Sequence, residues 1–158
     1  MAKIPLLLAA NTEHGGDGIA YEGTSFGQPM ATAAANDPVY AYRMGKVACS
    51  EGAALGLNWS FAPIVDINYE FHNPITNVRT FGSDPDRVVA CAKAFMRGAK
   101  ESGVAVIFVG EDLDVLLELC DRIMVICGGA VTGIVDARTA TKEGVGLLMT
   151  TRKKGAEQ

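Results

Sequence analysis

The residues with chemistry to offer are few and widely spaced. Asp66 and Arg79 bound a polar stretch that also holds His72, Asn73 and Asn77. A planar guanidinium on such a loop bonds a hydroxyl or a carboxylate in two places. A carboxylate at a strand end, as at Asp66, accepts bonds from hydroxyls. The alternative is internal: Arg79 pairs with Asp66 or Asp84 and fixes the loop. Glu111, Asp112 and Asp114 form a second acidic group with the composition of a cation site. Asp112 is better placed to cap the helix that follows, with the other two in solvent. Cys49, Cys91, Cys120 and Cys127 make no C-x-x-C pair, and His14 and His72 are the only histidines. That set is too sparse for structural zinc, so four free thiols in a reducing compartment and no metal are expected. The only Gly-Lys step is Gly45-Lys46, followed by Val47 and lacking the upstream glycine of a phosphate-binding loop. No cofactor is expected.

These residues need a scaffold, and the composition supplies one. The chain has 158 residues, 49% hydrophobic and 20% charged, which suits a folded domain with a real core. Fourteen basic against eighteen acidic residues give a net charge of −4, with no basic stripe. Arg152-Lys153-Lys154 reads as a solvated tail, so no nucleic-acid partner is expected. Ile4 to Ala10 is a short apolar run followed at once by Asn11-Thr12-Glu13-His14, the pattern of a buried strand rather than a signal peptide. No run approaches the ~20 apolar residues that span a bilayer. The expectation is a cytoplasmic protein with no membrane insertion.

Strand-length apolar runs at 4–10, 58–65, 104–109 and 123–127 alternate with amphipathic stretches at 37–55, 84–101 and 113–121. Alternation of this kind predicts a mainly parallel sheet with helices on its faces. Asp37-Pro38 and Ser83-Asp84-Pro85 both read as helix starts. Gly128-Gly129 reads as a turn, 131–135 as a hairpin partner and 141–149 as a short last helix. Residues 11–36 form a long glycine-rich loop with little periodicity, and loops of that length are usually functional. Together with 66–82 it leaves the carboxyl end of a strand, where ligands bind in such sheets.

The segment Asn58-Trp59-Ser60-Phe61-Ala62-Pro63-Ile64-Val65-Asp66-Ile67, followed by Asn73-Pro74 and then Arg79-Thr80-Phe81-Gly82-Ser83-Asp84-Pro85, resembles the N-terminal barrel of glycoside hydrolase family 3. Residues 4 to about 106 carry the resemblance. It implies a partial, roughly half, TIM-barrel-like α/β fold, with an open three-layer sheet as the alternative. It implies a sugar-contacting role for Arg79, which matches the family's substrate-binding arginine. Asn11-Thr12-Glu13-His14-Gly15-Gly16 stands where the family has its acidic glycine loop, which adds Glu13 and His14 to Asp66 as substrate-binding candidates. The family's acid-bearing "KHFPG" segment should follow Val104-Ala105-Val106. Ile107-Phe108-Val109-Gly110-Glu111 stands there instead, so no residue is carried over as nucleophile or acid.

Residues 104 to 150 resemble a different family. Val106 to Asp114, then Asp121-Arg122-Ile123-Met124-Val125, Gly129, Gly133 and Gly146-Leu147-Leu148-Met149, look like the C-terminal end of a sugar-importer ABC ATPase. Glu111 stands where active copies place a switch histidine. The chain thus reads as a chimera: residues 1–103 from a partial barrel and 104–158 from an ATPase end, packed as one domain. The function expected is that of a family 3 fragment, related to hydrolysis of O-glycosyl bonds, inactive alone and at most binding a small sugar. The alternatives are a chimera without a ligand and a remnant ATP-binding subunit of a sugar transporter.

Three helices on four apolar strands leave sheet surface and edges uncovered, which favours a twofold homodimer. Light scattering behind a sizing column checks this. The expected mass is twice the 16.6 kDa chain, and a mass near one chain across a wide concentration range would sink the dimer.

Overall fold

The computed structural model describes residues 6–105, 107 and 109–151. The chain divides into two compact units, Met1–Val106 and Ile107–Gln158. The expected basic tail at 152–154 and part of the strands at 4–10 and 104–109 lie outside the described residues. Among those described, no helix is long and apolar enough to cross a membrane.

The first unit is a β-α-β-α-β arrangement. Strand β1 (Ala9–Ala10) pairs in parallel with β2 (Trp59–Ser60), in the register Ala9 to Trp59 and Ala10 to Ser60. Trp59 also bridges Ala105 in parallel, so the middle piece has a partner on each side. Asn58 lengthens the first pairing with its side chain. Its Oδ1 accepts the Leu8 N–H at 2.8 Å and its Nδ2 donates to the Leu6 carbonyl at 2.9 Å. Parallel neighbours need a long crossover. The first contains α1 (Pro29–Ala34) and α2 (Val39–Ala54), the second α3 (Pro85–Glu101).

Helices α2 and α3 pack against each other at backbone distance. A Cβ built on Gly45 would lie 2.3 Å from the Phe95 carbonyl oxygen, and one built on Gly98 would lie 2.3 Å from that of Tyr42. Glycine at both positions lets each backbone enter the other helix's groove. Around this contact lie Ala41, Met44, Cys49, Val88, Cys91 and Phe95, all buried. Phe81, 1% exposed, joins them from the loop before α3. Burial pushes the thiols of Cys49 and Cys91 above their ordinary pKa. Gly45-Lys46 lies within the helix: exposed Lys46 Nζ donates to Tyr42 one turn back in α2 and to Glu101 across on α3.

The second unit is a hairpin covered by two helices. Strand β3 (Arg122–Cys127) pairs antiparallel with β4 (Ala130–Asp136), and Gly128 and Gly129, both at positive φ, make the turn. Two central residues with φ above zero match the right-handed twist of the strands. Thr132 is the extra residue of a bulge between the Val125 and Ile126 pairings, and its Oγ1 donates to the Val125 carbonyl. Helices α4 (Leu113–Leu119) and α5 (Lys142–Thr150) bury Ile123, Val125, Leu116, Ala137 and Val145. Asp112 caps α4 through Oδ1, Asp114 pairs with Lys142 at 2.6 Å, and Thr141 caps α5.

Several expectations need correction. Strand 122–127 pairs with β4 in a sheet of its own, so the expected four-stranded parallel sheet is reduced, among the described residues, to the short pair β1 and β2 with Ala105 joined by a single bridge. A two-residue turn is the shorter route to a partner, and it leaves no room for a parallel crossover. Leu6, Leu7 and Leu8 were expected inside, yet they are 73, 58 and 50% exposed. Among the described residues of this unit nothing covers them. The loop at 11–36 holds a 3-10 turn at Gly16–Gly18 and helix α1, neither foreseen.

The helix contact yields a sign test. Alanine normally favours a helix over glycine, but at Gly98 the new methyl meets backbone. Gly98→Ala is expected to destabilise its unit by about 1–3 kcal/mol, the usual cost of overpacking. Gly146→Ala, in α5 with open space at its Cβ, is expected to stabilise by about 0.5–1 kcal/mol. Denaturant melts of both variants check it, and equal signs would refute the close contact.

Candidate functional site

Two loops from the parallel pieces meet at one ion pair. Arg79 Nε donates to Glu13 Oε2 at 2.9 Å and Nη2 to Oε1 at 2.6 Å, a two-pronged bond. Nη1 donates to the Ile75 carbonyl at 3.2 Å. The Glu13 side chain is only 8% exposed and that of Arg79 39%. The bonded guanidinium holds the Glu13 carboxyl below its ordinary pKa, against the opposing effect of burial. Glu13 likewise raises Arg79, and Asp66, exposed nearby, adds to the attraction. The internal pairing expected for Arg79 is thus with Glu13, not with Asp66 or Asp84. Asp84 is engaged elsewhere: its Oδ1 accepts the Asp86 N–H and caps α3.

The Glu13 loop is shaped by its glycines and clamped by α2. Gly15 sits at φ 142°, and a Cβ there would lie 2.0 Å from the Thr24 carbonyl oxygen. Gly16 takes the Thr24 carbonyl at 2.9 Å, and its own missing Cβ makes room for Glu51. Glu51 accepts both the N–H and the hydroxyl of Thr24, at 2.9 and 2.6 Å. At the strand ends the hydroxyl of buried Thr12 and that of half-buried Ser60 bond each other, and the Ser60 Oγ accepts the Ala62 N–H. His14 turns aside: its Nδ1 bonds Asp17 Oδ1 at 2.8 Å. Asp17 lies below its ordinary pKa, first through a bond from Ser25 and then through His14.

The Arg79 loop is held from below. Asn73 Oδ1 accepts the N–H groups of Ile75 and Thr76, and Asn77 Nδ2 donates to the Phe71 carbonyl. Arg79 ends a 3-10 turn, Asn77–Arg79, and the fully buried Thr80 hydroxyl bonds the Asn77 carbonyl at 3.1 Å. With Phe81 in the core, the guanidinium has little freedom. His72 is exposed and bonds Glu70.

So the structure brings Glu13, Arg79 and Asp66 into one neighbourhood and sets His14 beside it. Sequence reasoning missed Glu51, Thr24, Thr12 and Ser60. The only available signal was Glu51 itself, the one carboxylate of helix α2, set among small residues in its last turns.

The family model described as "Glycosyl hydrolase family 3 N terminal domain" matches residues 1–109. The Beta-N-acetylglucosaminidase/beta-glucosidase of Cellulomonas fimi is 41% identical over 104 residues, which cover 66% of this chain and 18% of that protein. The solved structure "Beta-glucoside phosphorylase BglX bound to 2FGlc" superposes with a TM-score of 0.62 at 49% identity, over 65% of this chain and 19% of that one. The matched part thus spans less than a fifth of either relative. The Nucleoside import ATP-binding protein NupA of Lactococcus lactis subsp. cremoris (strain MG1363) is 43% identical over 51 residues, 32% of this chain and 10% of that protein.

The ion pair makes stability depend on acid. The unfolded chain protonates Glu13 at the ordinary carboxylate pKa, the folded chain only below it. Its contribution is therefore complete above the ordinary value and is lost as pH falls through the depressed one. Glu13→Gln, compared with the parent by denaturant midpoints at pH 7 and pH 3, is expected to lose less stability between the two. An equal loss would show that the pair does not stabilise the fold.

Proposed function

The chain belongs to the glycosyl hydrolase family 3 N-terminal domain family, and from that premise we propose that it binds a small β-linked or N-acetylated sugar through Arg79, Asp66 and the Glu13 loop, without cleaving it. The observation that carries this reading is the two-pronged Glu13–Arg79 bond where both strand-end loops meet. Of the five N–H groups of a guanidinium, three are taken by Glu13 and Ile75. The rest remain for hydroxyls on the exposed side. Asp66 adds an exposed acceptor, so neighbouring hydroxyls would find a donor and an acceptor together. His14 would flank the sugar, oriented by Asp17.

The same bond argues against turnover. Glycoside hydrolysis uses two carboxyl groups, one of which gives up a proton. Both oxygens of Glu13 are bonded by Arg79 and its pKa is depressed, so it stays ionised and cannot serve as the acid. Asp17 is tied to His14 and held below its ordinary pKa, so neither it nor Glu13 is placed to give up a proton beside Asp66. The cysteines are free, which suits a reducing, cytoplasmic setting. A second reading keeps the back piece as the remnant of an ATP-binding importer subunit joined near residue 103, and the likeness to NupA favours it. Gly45-Lys46 lies inside helix α2, with Gly45 buried against α3 and Lys46 exposed, and offers no phosphate loop, so ATP turnover is not proposed.

Calorimetry with methyl β-glucoside, N-acetylglucosamine and ATP tests both readings. Sugar binding is expected, weakened at least about tenfold in Arg79→Ala, with no ATP binding and no release of nitrophenol from a nitrophenyl β-glycoside. Turnover of that glycoside by the pure parent, abolished in Arg79→Ala, would overturn the non-catalytic reading.

A further inference from the structure

Beside the ion pair, and separate from it, a cleft of about 650 Å³ opens between α1 and the segment that leads into α3. Met30 and Ala33 form one wall; Asn68, Tyr69, Asp84 and Arg87 are on the other. Neither Glu13, Asp66 nor Arg79 lines it. Its volume is within the usual range for small-molecule sites.

Three features are unexplained by folding. The Asn68 side chain makes no hydrogen bond among the described residues, and its Oδ1 is buried without a partner. Its backbone is nevertheless fixed, with N–H bonded to the Gly82 carbonyl at 3.0 Å. A desolvated, unpaired amide is costly and rare. No hydrogen bond among the described residues holds that amide in its present rotamer, so turning it toward the cleft breaks none. Tyr69 stands 79% exposed at the rim, a large aromatic face left in water. Arg87 is exposed and forms no ion pair among the described residues. An apolar face with a carboxamide, a cation and a carboxylate along one edge fits a sugar ring, whose flat face stacks on aromatics and whose edge carries hydroxyls.

We propose that this cleft is a second carbohydrate-binding site, with Tyr69 as stacking platform and Asn68 and Arg87 as hydrogen-bonding partners. The choice of a sugar as ligand rests on the carbohydrate reading above; the vacancy of the amide and the exposure of the ring do not.

Nitrogen-15 NMR of the full chain, titrated with methyl β-glucoside and N-acetylglucosamine, tests it. Saturable shifts are expected at the Asn68 side-chain amide and at the Tyr69 and Arg87 backbone, and they should persist in Arg79→Ala. Tyr69→Ala should raise the Kd at the cleft by about tenfold, and Tyr69→Phe should restore it. Tyr69 is exposed, so neither change threatens folding. Shifts confined to residues 11–18, Asp66 and 73–79, with none at Asn68, Tyr69 or Arg87, would overturn the second site, as would cleft shifts that vanish in Arg79→Ala. Shifts at the cleft with none at Glu13 and Arg79 would uphold it and sink the first site instead.

Discussion

The backbone contact between α2 and α3 is the constraint on which the first unit depends. Gly45 and Gly98 let the helices meet at a distance that any Cβ would forbid. That approach sets where α2 lies, and so where Glu51 stands. Glu51 holds Thr24, Thr24 shapes the turn at Gly15 and Gly16, and that turn carries Glu13. On the other helix, the Asp84 cap fixes the start of α3 and hence the exit of the loop bearing Arg79. The ion pair is the point where both chains of dependence close. Neither loop has enough regular structure to place its charged residue alone, so the helix pair does it for them.

This arrangement explains why a carboxylate as buried as Glu13 is tolerable. Burying a charge costs several kcal/mol unless hydrogen bonds replace its water. Arg79 bonds both oxygens, and the guanidinium keeps contact with solvent. The burial is one-sided: the acid is enclosed and the base is half open. That asymmetry leaves donors facing outward, which is what ligand binding at this point would require.

Much of this was legible in the sequence. Asp84-Pro85, Asp112 and Thr141 announce helix starts by residue type alone, and each side chain does accept a backbone N–H. Gly128-Gly129 announces the hairpin because only a turn with positive φ twists with its strands. Arg79 and Asp66 stood out as exposed chemistry on a loop. The partner of Arg79 did not, because Glu13 lies 66 residues away and no local pattern encodes a pairing of that range. Gly45 was weighed as part of a phosphate loop, when its physical role is steric. Periodicity marks a residue's face but not how near another backbone comes. Helix α1 escaped notice since six residues, Pro29–Ala34, are too few to show a period.

The largest gap between pattern and structure lies in the apolar strands. Leu6, Leu7, Leu8, Phe61 and Val65 are each at least half exposed, as are Met124, Ile126 and Ile134 on the hairpin. Strands this apolar are normally covered on both faces, and hydrophobic burial is non-directional, so any cover would serve. The polar cluster is the opposite case. Its bonds are directional, and each depends on a specific partner that the unit already contains: Glu51 for Thr24, Ser60 for Thr12, Glu13 for Arg79. An uncovered sheet therefore exposes leucines without disturbing the pair. The geometry of the site is set by helices and loops rather than by closure of a sheet. The Glu13–Arg79 pair is in place with the sheet open for that reason.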